Sequence, residues 1–276
     1  MLSLNIGQGD EIIAGAYNCI SIFNAILSVG ATPVLADISP NNLCISSLSI
    51  QDKITSKTKA IIVTHLFGAK ADVIDFMVDI PIIEDFSHGI FRQTACLGIA
   101  SHGPTKLINS CSGGIVSGDE HLINCIRDLR DCSDKPISTK QNDMPNDLSA
   151  AVALEQLRRL PGIKNKRAMA AARYDEWIHD FGLAEIELIS RQTNSPYRFC
   201  IRLENHLAGD ISTAMKTKGV CAEVPVWDYR MFQEWPRDLP ECDQAFLHTL
   251  SLPFFESITQ EEQTEVVRAL GECLND

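Results

Sequence analysis

Two short segments of this 276-residue chain carry side chains able to do covalent and acid–base chemistry. The first, Pro81-Ile82-Ile83-Glu84-Asp85-Phe86-Ser87-His88, ends a β-branched apolar run on a carboxylate, with an imidazole three residues further on. A carboxylate at the end of a buried strand is costly unless a cation or several hydrogen-bond donors meet it. The second, Ser101-His102-Gly103-Pro104-Thr105-Lys106, sets a lysine in a tight loop flanked by hydroxyls. Its amine is a nucleophile and a cation for such a carboxylate. Ser112-Gly113-Gly114-Ile115-Val116 follows, a glycine pair that lets backbone approach backbone or ligand before another apolar strand. Taken singly, Lys106 is a solvated loop lysine, His88 a structural histidine, Asp85 a helix N-cap, and Ser101 and Asn142 turn residues. Order and spacing, taken jointly, give these residues a functional reading.

The elements that must position them alternate. Strands are predicted at Glu11 to Ala14, Thr32 to Ala36, Lys59 to Thr64 and Pro81 to Glu84, with helices at about Cys19 to Ser28, Leu48 to Ile54 and Ala71 to Val78. Gly30 stands just past the first helix as its stop. This alternation is the signature of a mostly parallel sheet flanked by helices, an α/β fold. The strands end in Asp37, His65 and Asp85, and ligands of open α/β sheets bind at the carboxyl ends of strands. From Asn146 to Trp177 one long helical stretch is expected, interrupted at Pro161-Gly162. Leu148, Ala151, Val152, Leu154 and Leu157 lie on its apolar face, with Arg158, Arg159, Lys164, Lys166 and Arg167 mostly solvated. The domain boundary is placed at that interruption, giving a large α/β domain over 1–160 and a smaller α+β domain over 161–276. In the latter, a strand is expected at Arg198 to Leu203 and helices at about Gly209 to Lys218 and Thr259 to Leu274. Thr259 and Glu262 form a capping box.

The bulk properties exclude several classes. A formal charge of −12 repels phosphate backbones and anionic lipid surfaces, so neither nucleic acid nor membrane is an expected partner. The most apolar stretch, Ile12 to Ala36, is broken by Asn18, Asn24, Gly30 and Pro33, and with no basic segment before an apolar core in Met1 to Asp10 a signal peptide is not expected. The ten cysteines include no CxxC pair and no Cys/His cluster at metal-ligand spacing, so no metal is expected. They read as buried reduced thiols of a cytoplasmic protein.

Several segments in register carry a resemblance. Gly9-Asp10-Glu11-Ile12-Ile13, Gly30-Ala31-Thr32-Pro33-Val34, Thr58 to His65, Ile83-Glu84-Asp85-Phe86-Ser87-His88, Pro104-Thr105-Lys106 and Gly113-Gly114 are similar to the DegT/DnrJ/EryC1/StrS family. Asn142 to Ala151, leading to Gln156-Leu157 and Arg167, resembles that family's Asn-Tyr-Arg stretch and the helix after it, and Leu250 to Phe254 its late strand. The resemblance implies a fold type I enzyme that uses pyridoxal 5'-phosphate (PLP) to transfer an amino group. Glutamate is the implied donor, a nucleotide-linked keto-sugar the acceptor, surface polysaccharide or amino-sugar synthesis the setting, and a homodimer the working form. Residue by residue, it implies that Lys106 is the Schiff-base lysine and proton shuttle and that Asp85 pairs with the pyridinium nitrogen. It further implies that His88 sits beside the ring, Ser101 bonds the phosphate, and Asn142 reaches a phosphate, that of the neighbouring subunit in a dimer.

Three features depart from the family pattern. Members carry a Ser-Gly-Thr phosphate-binding turn ahead of the Gly-Asp-Glu segment, whereas Met1 stands just past that point, so weaker cofactor binding and an uncovered sheet edge or apolar face are expected. Cys19 in Tyr17-Asn18-Cys19 replaces the aromatic that stacks on the cofactor ring, and Met144 replaces the arginine of Asn-Tyr-Arg. These departures define the alternative, a non-catalytic family member that serves as a binding or dimer-partner protein. A sugar dehydratase of the same family, which has histidine for the lysine, is disfavoured by Lys106.

Overall fold

The computed structural model describes residues 1–72, 79–130, 144–183, 186–189, 196–232 and 238–275. Five parallel strands, β1 (Glu11–Gly15), β2 (Thr32–Ala36), β3 (Thr58–Thr64), β4 (Ile82–Asp85) and β5 (Leu97–Ser101), form a sheet closed at one side by antiparallel β6 (Gly114–Gly118). The order is β2-β1-β3-β4-β5-β6. Ile12, Ile13, Ile61, Val63 and Ile83 are buried, because a central parallel strand is covered on both faces and gains apolar contact from every residue. Helix α1 (Ile20–Ser28) buries Ile22, Phe23 and Ile26 and stops at Gly30, whose φ of 80° only glycine adopts without strain. Helix α2 (Ser47–Lys53) and α3 (Glu120–Arg130) complete this layer. Because β2 and β3 leave β1 on opposite sides, the carboxyl ends of β1 and β3 flank a topological switch point.

Helix α4 (Asp147–Asp180) leads to a second, antiparallel sheet of β7 (Ile186–Leu188), β8 (Phe199–Leu203) and β9 (Thr249–Leu252). This sheet packs with α5 (Ala208–Thr217) and α7 (Gln260–Asn275) around Tyr174, Phe199, Met215 and Leu270. The expected capping box is present: Thr259 N–H donates to Glu262 Oε2 (2.8 Å) and Glu262 N–H to Thr259 Oγ1 (3.2 Å).

Several expectations need correction. The helix is not interrupted at Pro161-Gly162; α4 runs through both residues for 34 residues. Its packing face is Ala153, Ile163, Arg167, Ala170, Tyr174 and Ile178, whereas Leu148 (76% exposed) and Leu154 (51%) face outward and Arg167 is buried. Helical period identified a face but not what covers it. The cysteines are not mainly buried: Cys44, Cys200, Cys242 and Cys273 are, but Cys19, Cys111, Cys125 and Cys221 are exposed, and Cys132 lies outside the described residues. The helix expected at Ala71 to Val78 also falls largely outside them.

Glu84 holds the entry to β5 in place. Its buried carboxylate accepts from Thr94 N–H (2.8 Å), Thr94 Oγ1 (2.9 Å) and Ala95 N–H (2.9 Å), with His65 Nε2 at 3.4 Å. Glu84→Ala removes the acceptor shared by these part-buried donors and is expected to cost about 2 kcal/mol in a urea titration, since bonds to a charged acceptor carry roughly 1.5–3 kcal/mol. Glu84→Gln, which keeps one acceptor oxygen, should cost less; equal losses would show that burial alone holds this loop.

Candidate active site

The three polar residues at strand ends have different fates. Asp37, after β2, accepts from Glu241 N–H (3.0 Å) and Cys242 N–H (2.8 Å) and so caps α6 (Pro240–His248) from a distance. His65, after β3, faces Glu84 and accepts from Ala71 N–H (3.2 Å) through Nδ1. Both are structural. Asp85, the last residue of β4, is 6% exposed, and its carboxylate accepts from Ser87 N–H (2.9 Å), in a local turn; among the described residues no cation lies within ion-pair distance of it.

Around Asp85 the structure brings together four of the five expected residues. Ser87 Oγ accepts from Ser101 N–H (3.0 Å), tying the turn after β4 to the end of β5. Ser101 Oγ accepts from Gly103 N–H (3.2 Å), and Lys106 N–H donates to Gly103 O (3.0 Å), so the loop carrying the lysine is folded on the strand that precedes it. Leu107 and Ile108, buried, anchor its far side, and His102 N–H donates to Gly113 O (2.9 Å). A side chain at Gly114 would meet Ala100 O at 2.6 Å, which is why glycine stands where β6 joins β5. Lys106 is half-buried and does not pair with Asp85; its ammonium lies 5.4 Å from the centre of the Tyr197 ring. Asn142 lies outside the described residues.

His88 stands in an aromatic stack. The Tyr197 ring stacks on it (centroids 4.2 Å apart, planes 13° apart), and the Phe67 ring lies nearly parallel to it at 5.9 Å (10°). Phe67 takes a left-handed φ of 54°, uncommon for a bulky residue, which brings its N–H to 3.5 Å from His88 Nδ1. With Nδ1 accepting, the proton of neutral His88 resides on Nε2. Tyr197 in turn is held by its hydroxyl, bonded to Thr105 Oγ1 (3.1 Å), and by its carbonyl, which accepts from Arg167 Nη1 (3.0 Å). Sequence reasoning gave no role to Phe67 or Tyr197 and placed Arg167 among the solvated residues of its helix, whereas it is buried. The departure at Cys19 was the available signal, because a missing aromatic asks where aromatics are supplied instead. Cys19 itself is the exposed N-cap of α1, and Met144 is 60% exposed.

Burial holds the imidazoles of His65 and His88 neutral. It pushes the pKa of His88 well below the ordinary value, with Lys106 and then Arg198 adding to the effect, and that of His65 down as well, although Glu84 opposes it. In the unfolded chain both protonate near pH 6.5. The unfolded state therefore binds more protons below that pH, and stability is expected to be full above it and to fall as pH drops from about 6.5 through the lower folded values. Thermal melting followed from pH 8 to pH 5 should show Tm falling on the acid side, and His88→Phe, which keeps a ring in the stack, should flatten the slope. A Tm that rises on acidification contradicts this.

The sequence pattern of the DegT/DnrJ/EryC1/StrS aminotransferase family matches residues 1–271. Among solved structures, NtdA of Bacillus subtilis with bound cofactor PMP is similar over 100% of this chain and 70% of its own, at 26% identity and a TM-score of 0.86. The aminotransferase TlmJ of Streptoalloteichus hindustanus is similar over 100% and 82% (22% identity, TM-score 0.87). DesV of S. venezuelae is similar over 98% and 80% (23%, 0.82). The mostly parallel sheet with its flanking helices is the fold these proteins share.

Proposed function

This chain belongs to the DegT/DnrJ/EryC1/StrS aminotransferase family, and from that premise we propose that it transfers an amino group from glutamate to a nucleotide-linked keto-sugar, with PLP held at the carboxyl ends of β4 and β5. The observation that carries this reading is the chemistry left open at Asp85. A buried carboxylate with no cation among the described residues is destabilising in itself, and a protonated pyridine nitrogen supplies the missing partner. The neighbouring groups fit the same guest: a lysine amine on a folded loop, a neutral imidazole with Nε2–H to donate to the ring oxygen, and a Ser101 hydroxyl whose proton is free to meet a phosphate oxygen. PLP, when bound, withdraws electrons from the carbon that loses its proton.

The protein's own residues do the rest. With PLP bound, Lys106 Nζ would be the amine that holds the cofactor and the base that carries the proton. Asp85 keeps the ring nitrogen protonated, and His88 orients the ring edge. Residues 1–160 would bind the cofactor and 161–276 form the smaller part beside it. Exposed apolar side chains at Ile115, Val116, Leu148 and Leu154 support a homodimer as the working form, with Asn142 reaching a phosphate of the partner's site. Among the described residues no helix is long and apolar enough to cross a membrane. The experiment is direct: mix the purified protein with PLP, follow the visible band, then add glutamate and a panel of nucleotide-linked keto-sugars. A band bleached by glutamate and restored by a keto-sugar is the expected result. A band that glutamate leaves unchanged would sink the donor assignment, and no band at all would favour a binding protein.

A further inference from the structure

We propose that Tyr197 is a positioning residue for both Lys106 and His88, a single ring against which the amine and the imidazole are set in advance of the reaction; this rests on the PLP-dependent reading above. Tyr197 belongs to none of the strands whose ends carry the candidate chemistry. It stands two residues ahead of β8, in the smaller part of the chain, and reaches across to the segments that follow β3, β4 and β5. Three hydrogen bonds fix it there. Its N–H donates to Phe67 O (2.9 Å), after β3; its carbonyl accepts from Arg167 Nη1 (3.0 Å) on α4; and its hydroxyl donates to Thr105 Oγ1 (3.1 Å), after β5. Main chain and ring tip are both tied, so the place of this ring, 6% exposed, is set from both ends.

The fixed ring meets the two groups that the chemistry needs. His88, after β4, stacks on it with centroids 4.2 Å and planes 13° apart, and the Lys106 ammonium lies 5.4 Å from its centre. The stack keeps water from the imidazole, and the second contact falls within the roughly 6 Å over which a ring face attracts an ammonium. Thr105 is the residue before Lys106. The lysine is therefore held at its backbone, by its N–H on Gly103 O (3.0 Å) and the neighbouring Thr105 bond, and at its head by the ring. Ordering a flexible four-carbon stem ahead of the reaction removes an entropy cost from the step itself. The charged groups that act on His88 are Lys106 and Arg198, both cations, and both reinforce the effect of burial on its titration. Loss of the ring lessens the burial and leaves the two cations in place. A purely space-filling role predicts something different: an aliphatic side chain of similar bulk would then serve as well as the ring.

The test compares Tyr197→Leu, which keeps apolar bulk without a ring, with Tyr197→Phe, which keeps the ring and drops only the bond to Thr105. Cofactor-free protein is read first. By NMR, His88 should titrate well below the ordinary histidine value in wild type and in Tyr197→Phe, and higher in Tyr197→Leu. Brief acetylation, with sites read by peptide mass analysis against the other lysines, should modify Lys106 about threefold faster in Tyr197→Leu than in the other two, the scale of one ammonium–ring contact. In PLP-saturated protein, Tyr197→Leu should lower kcat by about tenfold or more with KM little changed, and Tyr197→Phe should recover most of the loss. If Tyr197→Leu does not fold, pentafluorophenylalanine at position 197 decides, because it keeps the shape and removes the ring's attraction for a cation; Lys106 should again acetylate faster. No change in the His88 titration and Lys106 acetylation, or a change in one alone, overturns the proposal, as does a Tyr197→Phe variant that behaves like Tyr197→Leu. Failure of the proposal and failure of the function stay distinct. Amino transfer with both cofactor-free readouts unmoved removes the positioning role alone, whereas readouts that move in a protein without amino transfer remove the function and leave the ring's hold on both groups.

Discussion

Lys106→Ala is expected to abolish the visible band that PLP gives with the protein and to lower amino transfer by about 10⁴-fold or more. One substitution removes both the nucleophile that holds the cofactor and the base that moves the proton, and general acid–base catalysis alone contributes roughly 10²–10⁴-fold. The loss should not come from unfolding. Lys106 is half-buried, its loop is closed by backbone bonds that alanine keeps, and the contact over Tyr197 forfeits only about 0.5–1 kcal/mol. Absorbance titration with PLP checks the first part. Borohydride reduction followed by peptide mass analysis checks the second, with cofactor expected on the peptide containing Lys106 in the wild type alone. Cofactor fixed to another lysine, or a band that survives the substitution, would falsify the assignment.

Asp85→Asn should separate activity from stability, moving them in opposite directions. Asparagine keeps the acceptor for Ser87 N–H and so preserves the turn, but it offers no charge to a ring nitrogen. Loss of one such electrostatic partner costs about 10²–10³-fold in rate, and a drop of that size in kcat is expected. Without cofactor, by contrast, the variant should be more stable by roughly 1 kcal/mol, because it no longer buries a carboxylate that has no cation beside it. Urea titrations with and without PLP read both effects: the wild type should gain more from the cofactor than the variant does. If the variant is less stable than wild type without PLP, Asp85 has a structural partner, and if kcat stays within fivefold, the nitrogen-pairing role fails.

Much of the large sheet was legible before any coordinates. β2 falls where Thr32 to Ala36 was expected, and β1, β3 and β4 lie within a residue of expectation; for these last three, inside the sheet, the reason is that strands covered on both faces are runs of Ile and Val that no helix period imitates. β5 was not foreseen. Leu97-Gly98-Ile99-Ala100-Ser101 is short, with small residues at three of its five positions, and only its neighbours β4 and β6 make it a strand. Pro161 misled for a different reason: a proline weakens a helix locally, yet α4 is held on both sides of it, by Ala153 and Ile163 and then by the packing of Ala170, Tyr174 and Ile178.

Lys106, with which the sequence alone marked the candidate chemistry, is therefore a case of two kinds of information. The order of residues determined that a lysine follows a strand-end carboxylate by 21 positions and a serine by five, and that His88 lies three residues past Asp85. Local spacing is enough for that, since a strand end and a tight loop are short-range features. What surrounds these groups was decided only by tertiary structure. Of three look-alike strand-end side chains, Asp37 was taken up by α6 from more than 200 residues away and His65 by Glu84, which left Asp85 with the local Ser87 N–H and no cation among the described residues. The aromatic rings beside His88 came from Phe67 and Tyr197, and Arg167, which was read as solvated in the sequence, is buried and bonds the Tyr197 carbonyl. Partnership between distant charges depends on burial and on which elements meet, and neither is a property of sequence spacing.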